Sequence, residues 1–277
     1  MKTLETDYRE QGYTVVAGAI PPAQLQRIRD AALRIVHEFD VDRQRSVFST
    51  GDRDRGRDAY FMDSAEAVHC FLEEHALDER GGLTCPKEQA VNKIGHALHD
   101  LVPEFSAFCR QDAIAESLRA IGYPEALLWQ TMYIFKQPRI GGEVRWHQDA
   151  AYLISEPASV VGFWVAIEDA TRDNGCLWVQ PGGHRGPLRE IYEVDPRTRR
   201  GELRTLDETP WPGAGEGQPV EVEAGSLVIF NDRMPHYSSH NHSSRSRHAF
   251  TMHFADPRSR WLESNWLQRP KLDPFFV

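Results

Sequence analysis

AGSLVIFNDRMPHYSSHNHSSRSRHAFTMHF, residues 224–254, reads as three strands and the turns between them. Ala224, Gly225 and Ser226 turn the chain into the apolar run LVIF, NDRMP turns it again, and a second short strand starts at His236. Alternate residues of a strand share a face, so His236 and Ser238 project together. After the polar loop around NHSSRS, the segment RHAFTMHF sets Arg247, Ala249, Thr251 and His253 against His248, Phe250, Met252 and Phe254. The large apolar side chains need a core, which turns Arg247 the other way, into the interior that these strands close. A guanidinium there is costly unless it meets an anion.

Outward from this stretch, LLWQTMYIF (127–135), SVVGFWVAI (159–167), GCLWVQP (175–181) and PVEVEAGSLVIF (219–230) are further short runs rich in β-branched and aromatic residues. Gly, Pro, Asn and Asp clusters separate them, and Asn174-Gly175 is a hairpin signal. The first half reads as helical. Pro21 and Pro22 open a helix that places Leu25, Ile28, Ala32, Ile35 and Val36 on one face. KEQAVNKIGHALHDLV and QDAIAESLRAIG read as further amphipathic helices, and residues 43–60 as a charged, aperiodic loop, either a disordered tip or a flap over a site. A βα alternation is absent, which argues against a doubly wound sheet. The expected architecture is mainly β with N-terminal helices: one domain over 1–277, helical to about residue 125, a double-sheet jelly roll over about 126–257, and a C-terminal extension from 258.

Composition bounds the function. A formal net charge of −9 argues against a broad nucleic-acid footprint or an anionic membrane as partner. The cysteines, Cys70, Cys85, Cys109 and Cys176, form no CxxC motif, so neither disulfides nor structural zinc is expected. With no apolar leader and no run of 18 apolar residues, a cytoplasmic setting is the default expectation. Only five of the 32 basic residues are Lys (Lys2, Lys87, Lys93, Lys136 and Lys271).

RWHQDAAYL, residues 145–153, puts His147 and Asp149 two apart, with Gln148 turned away. Alone, such a pair reads more simply as two polar residues on a wetted strand face. A second His, at 236, together with an inward Arg changes the reading. Two His and one carboxylate make the facial ligand set of non-haem Fe(II) oxygenases, which leaves open positions on the metal, and an Arg fork suits the far carboxylate of a dicarboxylic acid. Other metal-binding barrels satisfy the same spacing.

MYIFKQP, GGEVRWHQDAAYL, GFWVAIEDATRDNGCLWVQPGGH and GSLVIFNDRMPHYSSHNHSSRSRHAFTMHF resemble the phytanoyl-CoA dioxygenase family. DYREQGYTVV, NKIGHALH and NWLQRP extend the resemblance over nearly the whole chain. It implies a double-stranded β-helix that uses Fe(II), 2-oxoglutarate and O2, with ascorbate as a stimulant. Residue by residue, it implies His147, Asp149 and His236 as iron ligands. Arg247 is implied as the partner of the distal carboxylate with Ser238 beside it, and Lys93, Met132 and Trp164 as further walls of the co-substrate pocket. The remaining His240, His242, His248 and His253 read as structural or exposed. The expected activity is hydroxylation of an aliphatic C–H of a small molecule with release of succinate and CO2. Asp149 argues against halogenation, in which a small residue replaces this carboxylate. A non-catalytic sensor or scaffold on the same fold is the alternative, and a zinc hydrolase would leave Arg247 and Ser238 without a role. Substrate choice is expected in residues 43–60 and 186–218.

Overall fold

Phe250, Met252 and Phe254 are fully buried, and what they pack against defines the architecture. A computed structural model describes residues 3–48, 59–213 and 215–277. The strand Ala249–Ala255 lies near the middle of an eight-stranded antiparallel sheet. Its path runs Tyr13–Val16, Leu227–Asn231, Val161–Ala166, Ala249–Ala255, Leu127–Ile134, Val91–His96 and Val68–Leu72. Phe275–Phe276 adds to Leu127–Ile134. On one face Phe163, Val165, Ile229, Phe250, Met252 and Phe254 share a core with Leu25, Ile28, Ala32, Phe105 and Phe108 of the helices Pro22–Glu38 and Pro103–Cys109.

A four-stranded sheet, Gln218–Val220, Leu177–Val179, His236–Ser238 and Val144–His147, covers the other face. Between the sheets, Trp164, Ala166, Val228 and Phe230 pack against Leu177, Val179 and Val220. The expected jelly roll with its flanking helices is therefore present. The strand alternation holds as well: Phe250 and Phe254 face the helices, while Thr251, His253 and the preceding Arg247 line the space between the sheets.

Three local expectations are corrected. KEQAVNKIGHALHDLV is not one helix: after a single turn at Lys87–Ala90, Val91–His96 is a strand whose six residues are all buried. With both faces covered, that strand carries no two-residue alternation, and its apolar residues mimic a helical stripe. Asn174-Gly175 is a turn, with Gly175 at φ +84°, but not a hairpin; it carries the chain from the large sheet into the small one. The strand holding His147 ends there, and Asp149 opens a single 3₁₀ turn, Asp149–Ala151. Residues 49–58, most of the charged loop read as a cover, lie outside the described residues.

Phe250 sits 5.1 Å from Phe105 and 5.5 Å from Phe108, ring centroid to ring centroid. Phe250→Ala is expected to lower unfolding free energy by about 3–5 kcal/mol in chemical denaturation. Leu206→Ala, at a side chain 48% exposed, is expected to change it by less than about 0.5 kcal/mol.

Candidate active site

His147 ends one strand of the small sheet and His236 begins its neighbour, with the two residues paired in register. Each imidazole is oriented by its own backbone. His147 Nδ1 lies 2.8 Å from the Arg145 carbonyl and His236 Nδ1 lies 3.0 Å from the Met234 carbonyl. A carbonyl only accepts, so both Nδ1 atoms carry hydrogen and both Nε2 atoms present lone pairs. Those lone pairs meet Asp149, whose Oδ1 is 3.6 Å from His147 Nε2 and 3.7 Å from His236 Nε2. Ligand atoms of the three residues lie within 4.8 Å of one another. Two nitrogen lone pairs and a carboxylate oxygen aimed at one point, with no hydrogen among them, suit a metal cation.

The sheet above fixes the remaining carboxylate oxygen. His253 Nε2 is 3.1 Å from Asp149 Oδ2, and His253 Nδ1 is 3.1 Å from Gln130 Nε2 on the adjoining strand. The amide donates to Nδ1, so Nε2–H donates to Asp149. Burial alone would raise the Asp149 carboxyl, but His253, whose Nε2–H it accepts, holds it well below the usual carboxylate range. His253, read from the sequence as structural or exposed, thus touches the triad. Its place beside Thr251 on the inward face was the available signal. Gln148 turns away and bonds the Pro187 and Arg233 carbonyls, which fixes the turn between His147 and Asp149. Gly162 lets the Phe230 ring lie close, where a Cβ would meet it at 2.5 Å, and that ring packs 4.7 Å from His236.

Arg247 is 2% exposed and lines the same cavity as the triad. Its Nε donates to the Gly175 carbonyl at 3.1 Å, its Cζ lies 5.3 Å from the Trp164 ring, and its Nη1 has no partner among the described residues. Burial pulls the guanidinium down to about 10, still cationic at neutral pH. An orphaned, charged donor is costly to bury and calls for an anion. Beside it lies a residue the sequence reading did not single out. Lys136 is 1% exposed, and its Nζ donates to Ser238 Oγ at 2.7 Å and to the Gly142 carbonyl at 2.6 Å. Burial, and then Arg247, pushes its ammonium far below the usual lysine value. Lys136 lies inside MYIFKQP and is one of only five lysines, a signal that was in plain view. Because Lys136 donates to Ser238 Oγ, the Ser238 hydroxyl hydrogen is directed elsewhere.

Lys93, Met132 and Trp164 all line this cavity of about 490 Å³. Lys93 is buried, with Nζ 3.7 Å from the Phe48 ring centroid and 3.7 Å from Met132 Sδ. The walls also include Phe61, Tyr152, Leu153, Trp211 and Trp266. Trp211, Pro212 and Glu190 belong to the segment 186–218. Among the described residues no helix is long and apolar enough to cross a membrane.

The profile of the family Phytanoyl-CoA dioxygenase (PhyH) covers residues 8–249. The chain is 36% identical over 274 residues to a phytanoyl-CoA dioxygenase of Arabidopsis thaliana, covering 98% of this chain and 94% of that one. It is 35% identical over 276 residues to phytanoyl-CoA dioxygenase domain-containing protein 1 of Mus musculus, covering 97% and 94%. Among solved structures, AviO1 from Streptomyces viridochromogenes superposes with a TM-score of 0.60 at 21% identity, over 93% of this chain and 95% of that one. The epimerase SnoN, solved with Fe3+, alpha ketoglutarate and nogalamycin RO, also gives 0.60, at 15% identity over 93% and 84%. The structural likenesses speak for the fold, and the sequence matches for the descent: this chain belongs to the phytanoyl-CoA dioxygenase family.

Proposed function

We propose that the chain, as a single domain over 1–277, is an Fe(II)- and 2-oxoglutarate-dependent dioxygenase that hydroxylates an aliphatic C–H of a small molecule. One observation carries the reading: the His147, Asp149 and His236 donor set shares its cavity with a buried Arg247 whose Nη1 lacks a partner among the described residues. Bound together, iron and 2-oxoglutarate supply the activation of O2 and the oxidation of the C–H bond, with succinate and CO2 as by-products. Everything else is the work of the protein.

His147 Nε2, His236 Nε2 and Asp149 Oδ1 would hold the metal on one face, with their orientations set by the Arg145 and Met234 carbonyls and by His253. Arg247 Nη1 and the Ser238 hydroxyl would take the distal carboxylate. Lys93, Met132 and Trp164 would wall the co-substrate, and the apolar mouth would exclude water from the reacting carbon. SnoN is described as an epimerase on a similar fold, so the outcome of C–H activation depends on substrate placement; hydroxylation is the simplest outcome. Asp149 supplies a third protein ligand, which weighs against halogenation. A sensor that binds without turnover would need neither O2 nor succinate release. Succinate formed from 2-oxoglutarate with added Fe(II) and ascorbate, only in air, supports the enzyme, and its absence from verified iron-loaded protein sinks it.

Two variant series check the roles. Asp149→Ala is expected to lose metal binding in Co(II) or Fe(II) titration, while His253→Ala weakens it about 10- to 100-fold. Equal affinity in both variants and wild type would remove the triad from consideration. Arg247→Ala is expected to raise the 2-oxoglutarate KM by a factor equivalent to about 2–5 kcal/mol while sparing metal content, and Arg247→Lys to recover only part. Unchanged co-substrate affinity in Arg247→Ala would return Arg247 to a purely structural role.

A further inference from the structure

His96 belongs to NKIGHALH, and neither the metal nor the co-substrate makes use of it. It ends the strand Val91–His96, is 1% exposed, and lines the cavity. Its ring is wedged among Trp266 at 5.0 Å, Phe61 at 5.6 Å and Phe71 at 5.8 Å between centroids. Phe61 and Trp266 belong to a hydrophobic cluster with Tyr152, Leu153 and Tyr192, separate from the one that holds Trp164 beside Arg247. By register Lys93 stands level with Ile134 and Ala249, two residues from Arg247, whereas His96 stands level with Thr131 and Met252, so His96 lies farther along the strands from Arg247 than Lys93 does.

The hydrogen bonds around it leave one arrangement of protons. Ser64 Oγ is 2.5 Å from the Phe61 carbonyl and 2.7 Å from His96 Nδ1. A hydroxyl has one hydrogen, and a carbonyl oxygen only accepts. The Ser64 hydrogen is thus spent on Phe61, and Ser64 can only accept from His96, which puts the ring hydrogen on Nδ1. The other nitrogen, Nε2, is then a bare lone pair, and it makes no hydrogen bond among the described residues. Burial, then the neighbouring Lys93, keeps the ring neutral by pulling its pKa well below the usual value.

We infer that His96 Nε2 is the hydrogen-bond acceptor of a substrate subsite, and that the prime substrate is a neutral molecule with an apolar body and a hydroxyl group that donates to it. The aromatic walls take the body. Lys93 beside the ring disfavours a substrate ammonium, and a carboxylate or ether would set one lone pair against another. A site that hydrogen-bonds a substrate hydroxyl rejects the analogue lacking it, because the buried acceptor is left unpaired. The inference rests on the reading of the cavity as an oxygenase site.

The test uses the full chain, loaded anaerobically with Fe(II) and 2-oxoglutarate, and three probes of nearly one shape: p-cresol, p-xylene and p-methylanisole. Binding is followed by ligand-observed NMR, and iron and 2-oxoglutarate affinities are titrated on the same samples. Wild type is expected to bind p-cresol, with a p-cresol to p-xylene affinity ratio about tenfold above that of His96→Leu. Ser64→Ala, which keeps the imidazole but frees its tautomer, is expected to lower the preference for p-cresol over p-methylanisole. A ratio within about twofold of wild type in His96→Leu, an unchanged preference in Ser64→Ala, or no p-cresol binding to wild type overturns the subsite. Failure of wild type to take up iron and 2-oxoglutarate overturns the oxygenase reading instead, so the two failures are separate. Should His96→Leu not fold, Ser64→Ala decides alone.

Discussion

The two oxygens of one buried carboxylate belong to different sheets. Asp149 Oδ1 faces His147 and His236 of the small sheet, while Oδ2 takes a hydrogen bond from His253 of the large one. That division makes Asp149 a strut across the jelly roll at the point where apolar packing gives way to a cavity. Elsewhere the sheets are held by Trp164, Val228 and Phe230 against Leu177 and Val179; at the site, polar contacts take that role. An uncompensated carboxylate there would be costly to bury, and the Nε2–H of His253 supplies the one hydrogen bond that the three histidines give it. Removing His253 changes both the geometry and the electrostatics of the remaining donors.

The same principle operates in reverse at the other end of the cavity. Arg247 and Lys136 are both buried, and the guanidinium lowers the proton affinity of the ammonium on top of the effect of burial. Glu73, the nearby buried acid, is pushed upward by its own desolvation and is committed to Asn92 and the Gly142 amide. The pocket is therefore electropositive in a chain whose net charge is −9. Lys136 holds Ser238 Oγ as an acceptor, which leaves the Ser238 hydroxyl hydrogen and the Arg247 Nη1, unpartnered among the described residues, as donors beside it. Buried cations, an electron-rich donor set and aromatic walls share one cavity.

Much of this was legible in the sequence. The strand alternation of RHAFTMHF turned Arg247 inward, and the H-x-D spacing brought His147 and Asp149 together even though the strand ends at His147, two residues before Asp149. The rest was hidden for physical reasons. Val91–His96 is buried on both faces, so periodicity could not distinguish it from a helix, and the cavity wall formed by Lys93 and His96 was assigned to the wrong element. Lys136 lies just past the end of Leu127–Ile134 with φ +39°, and strand periodicity predicts no side-chain direction there. His253 belongs to no ligand motif of its own; only the strand face it shares with Thr251 and Arg247 marks it as inward.

Register explains why the inner wall is so tightly specified and the mouth is not. Gly95, Met132, Thr251, Trp164 and Val228 pair across five strands as one row, and Gln130, His253 and Gly162 form the next. A slip of one residue in any of these strands would exchange its inward and outward faces. The penalty falls on the outward set: Phe163, Ile229, Phe250 and Met252 would leave the helices they pack against. The helices thus keep Met132, Trp164, Thr251 and His253 of the large sheet turned toward the cavity. Phe61, Trp211 and Pro212 lie under no such constraint, since they come from a short helix and from an irregular segment outside both sheets. Changes there leave the registered rows intact, so a scaffold of this kind can keep its oxidative centre while the mouth is rebuilt around a different substrate.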